Sequence, residues 1–224
     1  MRKEIIVPSE LEDITLRQYQ AFLKLGDDIK HEELISIFCN MTVVEALQLP
    51  INVFEQATLK VVEVLTTAQQ EVKHTQTLVL NGVKYGMIPN LEKISYGENK
   101  DLTTYLSDWQ NMHMAMAVLY RPIEKTFNGM YSIESYEGAS KHKEAMLDMP
   151  LNHVIGANSF FYNLTEALLN AIPSYLERVI RNSNSKTVQS FKDQQTQEEY
   201  IKQTGDPMMR SIALLKETLE GLKR

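Results

Sequence analysis

Apolar positions near the start of the chain recur at intervals of three and four, the spacing that lines one face of a helix. Leu16, Tyr19, Phe22 and Leu23 form the first such run. Thr15 is placed to accept from the amide of Gln18 while the Gln18 side chain reaches back, a capping box that sets the helix start, and Gly26 ends it. A second short helix, around His31 to Cys39, carries Leu34, Ile35, Ile37 and Phe38. Another capping box, Thr42 with Glu45, opens a third before Leu49 and Pro50. Asn52 to about Glu71 predicts a longer helix, with Phe54, Ala57, Val61, Val64 and Ala68 on one stripe and Gln, Lys and Glu on an opposite, wet face.

The period then changes. Asn81-Gly82 lies between two β-prone runs, Thr77 to Leu80 and Val83 to Ile88, and predicts a hairpin over 76–88, because a type I′ turn needs positive φ at both central positions. Pro89 closes its second strand. Asp101 to Tyr120 returns to helical spacing through Tyr105, Trp109, Met112, Met116 and Leu119, and Ala115, Ala117 and Val118 make its second half apolar on most sides. It is expected to be the central buried helix, stopped by Pro122. Asn128-Gly129 repeats the turn chemistry and predicts a second hairpin over 124–136. Since an isolated hairpin is marginal in water, the two are expected either to pair into one small antiparallel sheet or to lie on the central helix. The fold class expected is mainly α: a compact multi-helix domain with two short β-hairpins and a C-terminal amphipathic helix.

Pro150 opens another helical region, Leu151 to Ala171, and Pro173 restarts it as Tyr175 to Ile180. The helical domain with its two hairpins is thus assigned to 1–182. Residues 183–206 are rich in Asn, Ser, Lys, Gln and Asp and predict a polar linker. In 207–224, Met208, Ile212, Leu215, Leu219 and Leu222 are spaced 4, 3, 4 and 3, a narrow seam on an amphipathic docking helix. That seam either folds back on the parent domain or inserts into another chain.

Composition narrows the function classes. The 224 residues hold 23 basic and 29 acidic side chains, a formal net charge of −6, so nucleic acid is not an expected partner. One cysteine, Cys39, excludes an internal disulfide and fits a reducing compartment. Met1 to Glu10 has only Ile5, Ile6 and Val7 as an apolar run and predicts no secretory leader. The longest apolar stretch, Met114 to Tyr120, is about a third of the roughly 20 residues a membrane helix needs. Nine glycines leave few places for phosphate-cradling loops.

Catalytic motifs are missing: the chain has no P-loop, no dinucleotide fingerprint and no nucleophile elbow. The five histidines include no pair four apart, so neither a metal nor another cofactor is expected. His113 near Asp108 is the best acid–base candidate, although a helix histidine beside a carboxylate is more often structural. Cys39, beside Ile37 and Phe38, is expected to be a small core residue rather than a nucleophile. Arg121, directly after an apolar helix, has two readings. In the preferred one it is drawn inward, where its guanidinium needs a carboxylate or the free carbonyls of the helix end. In the other, Tyr120 and Arg121 join Tyr136 in a protein-binding surface, since Tyr and Arg are common interface anchors.

The order of motifs is itself informative. Ile14-Thr-Leu-Arg-Gln-Tyr-Gln comes first, followed by Leu80-Asn-Gly-Val-Lys-Tyr-Gly-Met-Ile-Pro-Asn-Leu. Next is Tyr105-Leu-Ser-Asp-Trp-Gln-Asn-Met-His-Met-Ala-Met-Ala-Val-Leu-Tyr-Arg-Pro-Ile, then Met149-Pro-Leu and Phe160-Phe-Tyr-Asn-Leu. Over roughly Ile6 to Leu164 this resembles a poorly characterised protein family of tailed bacteriophages, found among virion and tail-assembly genes and sometimes described as tail assembly chaperones. The resemblance implies a non-enzymatic morphogenesis protein that binds other phage structural or tail proteins through apolar helical surfaces, in the host cytoplasm during assembly. A subunit retained in the virion, as a connector ring or packaged cargo, is the alternative, and an uncharacterised enzyme a minor one. Self-association of the chain is a further contact left open. The resemblance brings no catalytic residue, and the chain after Asn182 lies outside it. The candidate protein-binding residues are therefore Met208, Ile212, Leu215, Leu219, Leu222, Tyr120 and Arg121.

Overall fold

The computed structural model describes residues 5–26, 29–67 and 74–161. The expected helix beyond 161, its restart at Tyr175, the polar linker 183–206 and the seam in 207–224 lie outside the described residues.

Four helices come first: α1 (Leu16–Leu23), α2 (His31–Phe38), α3 (Val43–Leu47) and α4 (Ile51–Thr67). The Thr15–Gln18 and Thr42–Glu45 capping boxes are both formed, which fixes where α1 and α3 begin. The chain then forms β1 (Thr77–Leu80) and β2 (Val83–Met87), α5 (Tyr96–Tyr105), α6 (Met112–Leu119), β3 (Tyr120–Phe127), β4 (Met130–Ile133) and α7 (Lys143–Leu147). A last helix, α8, occupies 151–161. Both Asn-Gly turns adopt left-handed backbone at each central residue, with φ of 50° and 78° at Asn81 and Gly82 and 49° and 77° at Asn128 and Gly129.

The two hairpins pair into one antiparallel sheet in the order β1-β2-β3-β4. This corrects the mainly-α expectation: the described residues are 56% helix and 16% strand, a mixed fold. The reason lies at Leu119–Tyr120. α6 passes into β3 with no intervening loop, because Tyr120 takes extended backbone (φ −114°, ψ 121°) while the Leu119 carbonyl accepts from the Ile88 amide at 2.9 Å. The second hairpin therefore starts at Tyr120 rather than at 124, and its first residues pair with β2 through Met87↔Tyr120, Gly86↔Arg121 and Tyr85↔Pro122. Pro122 does not stop the helix. It sits inside a strand, and its carbonyl accepts from the Glu134 amide at 2.9 Å. Because Pro122 has no N–H to return the bond, the ladder to β4 ends there, just after Ile133.

The long helix expected from Asp101 to Tyr120 is also divided. The Asp108 side chain accepts from the Gln110 amide at 2.9 Å and from Asn111 Nδ2 at 2.7 Å, and this caps a tight turn, Trp109–Asn111, between α5 and α6. Only α6 is central: Met112, Ala115, Met116, Ala117, Val118 and Leu119 are all buried.

Strand alternation gives the sheet a core face of Leu78, Leu80, Tyr85, Met87 and Tyr120, all buried. The two ends of the described chain meet in an isolated bridge between Thr15 and Pro150. There Leu16 N donates to Met149 O at 2.9 Å and Leu151 N to Ile14 O at 2.7 Å, and those four side chains are essentially fully buried. Two glutamines of α1 also work inward. Gln18 Nε2 donates to Ile37 O at 3.0 Å, and Gln20 Nε2 to Trp109 O at 2.7 Å, which ties α1 to α2 and to the turn before α6.

Gly86 leaves room for Tyr131, whose hydroxyl donates to Met87 O at 2.9 Å. A Cβ at position 86 would lie 2.4 Å from Tyr131 Cε2 and 3.0 Å from Ile123 Cγ1. Gly86→Ala is expected to cost about 1–3 kcal/mol by overpacking. Urea unfolding should show the loss, and combining it with Tyr131→Ala should cost less than the two changes summed.

Candidate functional site

Tyr120 and Arg121 are consecutive strand residues, so their side chains leave opposite faces of the sheet. The Tyr120 hydroxyl is buried and donates to Thr75 O at 2.8 Å. Burial, and secondarily the nearby Tyr131, raise its phenol pKa. Arg121 is also buried and forms an ion pair with Glu98 of α5, with a terminal guanidinium nitrogen 2.6 Å from Oε1. Its guanidinium carbon stands 5.4 Å from the centroid of the Tyr136 ring. The Tyr136 hydroxyl in turn donates to Asp101 Oδ2, one turn along α5 from Glu98. The carboxylate that the inward reading of Arg121 required is thus Glu98, and neither Tyr120 nor Arg121 presents a surface for a partner.

Glu98 owes its position to a further capping box, Ser95-Tyr-Gly-Glu98, which starts α5. Its Oε2 accepts from the Ser95 amide at 2.7 Å, leaving Oε1 for Arg121. Burial alone would raise the Glu98 carboxyl, but hydrogen bonds from Ser95 and the Arg121 charge outweigh it and hold the group below the ordinary carboxylate range. The sequence reading missed this residue, although a Ser three positions before a Glu is the same signal that marked Thr15 and Thr42.

The candidates for chemistry are dispersed. His113 Nδ1 lies 3.2 Å from Gln20 Nε2, and burial lowers its pKa, whereas Asp108 is exposed and occupied by its own turn. Cys39 is buried, and burial pushes its thiol up to about 11, away from the thiolate a nucleophile needs. Among the described residues no three His, Cys, Asp or Glu side chains gather as a metal site. No helix among them is long and apolar enough to cross a membrane.

Exposed apolar side chains concentrate on α3 and α4. Val44, Leu47 and Ile51 follow one another at spacings of three and four across the junction, at 64%, 65% and 72% exposure. Ile51, Leu59 and Val62 share one face of α4, the latter two 71% and 43% exposed, while Ala57, Val61 and Val64 bury the other. The opposite face of α4 is thus not simply wet, as its Gln, Lys and Glu suggested. Such a strip removes apolar surface from water only when another apolar surface covers it. A smaller exposed pair, Phe127 and Met130, faces across the tip of the β3–β4 hairpin. The seam residues Met208, Ile212, Leu215, Leu219 and Leu222 lie outside the described residues.

No family model, curated protein or solved structure matches the chain.

Replacing Glu98 with Gln leaves Arg121 as an uncompensated buried charge, and about 3–5 kcal/mol of stability should be lost at neutral pH. The native carboxyl is held below its unfolded value, so its contribution is present at neutral pH and fades as pH falls below about 4.3. Denaturant titrations from pH 7 to pH 3 should show a steeper acid loss for the native protein than for Glu98→Gln.

Proposed function

We propose that this protein acts without catalysing a reaction, as a tailed-phage morphogenesis factor of the tail-assembly-chaperone kind that holds another phage structural protein against its apolar helical surface. The observation that carries this reading is the exposed row Val44, Leu47, Ile51, Leu59 and Val62 along α3 and α4. A solvated apolar row of this kind, the densest group of exposed aliphatic side chains among the described residues, suits a client-binding face. The motif order in the sequence supplies the phage context, and assembly in the host cytoplasm is part of the same proposal.

Co-expression with the phage tail-tube and tape-measure proteins, followed by pull-down, tests it. The native chain should retain one of them. Leu47→Asp combined with Leu59→Asp should lower retention at least tenfold, while the melting temperature moves by no more than about 2 °C, as exposed substitutions do. Failure of the native chain to retain either protein, or undiminished retention by the double variant, would count against the reading.

The second reading, a subunit that stays in the particle, draws on the β3–β4 hairpin. Of β3, only Tyr120 to Pro122 pair with β2, so the remainder of the hairpin extends past it to Phe127 and Met130 at its tip, 72% and 69% exposed. Mass spectrometry of purified particles separates the two readings: the chaperone should be absent, and a subunit present in stoichiometric amount.

A further inference from the structure

We infer that Asn128, at the tip of the β3–β4 hairpin, is a site of spontaneous covalent modification, converting to aspartyl and isoaspartyl residues, whereas the fold protects Asn81 in an otherwise equal Asn-Gly turn. Both turns hold Asn and then Gly in left-handed backbone, with φ of 50° and 78° at Asn81 and Gly82 and 49° and 77° at Asn128 and Gly129. All four residues are exposed. In each turn the residue after the asparagine has no side chain to shield its amide nitrogen.

The reaction needs only water and base. The Gly129 amide nitrogen gives its proton to solvent base and attacks Asn128 Cγ. The new C–N bond closes a cyclic succinimide, the Cγ–Nδ2 bond breaks, and Nδ2 leaves as ammonia with a proton from water. Water then adds to either ring carbonyl. Addition at Cγ breaks its bond to the Gly129 nitrogen and leaves an aspartyl residue in the original main chain. Addition at the backbone carbonyl breaks the other bond, and the main chain then runs through Cγ as isoaspartyl. No electrons are gained or lost.

Ring closure carries the side chain onto the next amide, which the closed turn resists, so the rate follows how readily each turn opens. Of β3, only Tyr120 to Pro122 pair with β2, and from Glu124 to Met130 every residue is exposed. A hairpin end paired only with itself is marginally held. No other described residue hydrogen-bonds the Asn128 side chain. Asn81 is fixed on two sides. Leu80 beside it is buried in the core, and Asn81 Nδ2 donates to Asp148 Oδ2 at 3.4 Å. Arg17 of α1 holds the other Asp148 oxygen at 3.1 Å, so the β1–β2 turn is tied to α1 and to the junction of α7 and α8.

The aspartyl product suits the same left-handed backbone, so it keeps the turn and places a negative charge between Phe127 and Met130. The isoaspartyl product lengthens the main chain by a methylene, which the two-residue turn and its Phe127↔Met130 register do not accommodate. Either product makes the tip a poorer apolar contact. The modification itself depends on neither functional reading. Only its effect on a subunit held in the particle through this tip rests on the second.

Timed incubation of the purified full chain at mildly alkaline pH, followed by peptide mapping in a mass spectrometer, tests the inference without any partner. The Asn128 peptide should gain one dalton at least about fivefold faster than the Asn81 peptide, and isoaspartyl methyltransferase should label it. Asp148→Ala removes the clamp on Asn81 and leaves the domain folded, because an exposed ion pair contributes little to stability. That variant should speed conversion at Asn81 at least about threefold and leave the Asn128 rate unchanged. Equal rates at the two turns, faster conversion at Asn81, or an Asp148→Ala effect that is absent at Asn81 or equal at both turns would overturn the inference.

Discussion

A single buried guanidinium constrains the described domain more than any other group. Because α6 runs into β3 without a loop, the residue after Tyr120 cannot avoid the second face of the sheet, and that residue is Arg121. Its charge must be met by a carboxylate brought to within hydrogen-bonding distance, and α5 supplies one from the first turn of the helix. Glu98 serves two donors at once, the Ser95 amide through one oxygen and Arg121 through the other. The start of α5 and its seating against β3 are therefore one event. A buried ion pair adds little to stability over a well-packed apolar alternative, but it tolerates only one register. In this domain the register it fixes places Tyr136 over the guanidinium and Asp101 at the Tyr136 hydroxyl.

The interior and the outer surface follow different rules. Around α6 nearly every aliphatic side chain is buried, and several polar groups drawn inside find partners: Gln18 and Gln20 donate to backbone carbonyls of distant segments, and Tyr120 to Thr75, whereas Arg121 Nε and Nη1 have none. On α3 and α4 the reverse holds, and large aliphatic side chains stand in water. That exposed row is the observation on which the proposed binding role rests.

Local signals in the sequence were read well where they depend on few neighbours. Thr15–Gln18, Thr42–Glu45 and the two Asn-Gly turns each need only a few adjacent residues, and each forms as expected. The errors came where neighbours distant in sequence decide. Tyr120 and Arg121 suit a helix end by period, yet β2 and Ile88 convert them to strand, and that conversion alone changes the fold from a helical domain with attached hairpins to a four-stranded sheet. The turn at Asp108 was hidden because Tyr105, Trp109 and Met112 keep helical spacing through it. The inward reading of Arg121 was legible from its place after an apolar run, whereas its partner was not, since Glu98 is 23 residues away and points inward only once α5 packs. The strip on α4 is a different kind of miss, because Ile51, Leu59 and Val62 were in plain view at helical spacing.

Helical periodicity measures less than the whole surface of a helix. A helix with one apolar row identifies the side that packs in its own domain. A second row separated from the first by about half a turn has no use in a two-layer arrangement, where one face of each element belongs to the core and the other to water. In α4 the rows are Ala57, Val61 and Val64 on one side and Ile51, Leu59 and Val62 on the other, with Glu55 on the outer side. The inner row sets Ala57, Val61 and Val64 against the core, with Phe54 partly buried beside them. The outer row includes the long side chains Ile51 and Leu59, which project furthest and gain most from a partner's surface. Placement assigns the inner row to folding, and the outer row is the exposed surface on which the proposed binding role rests.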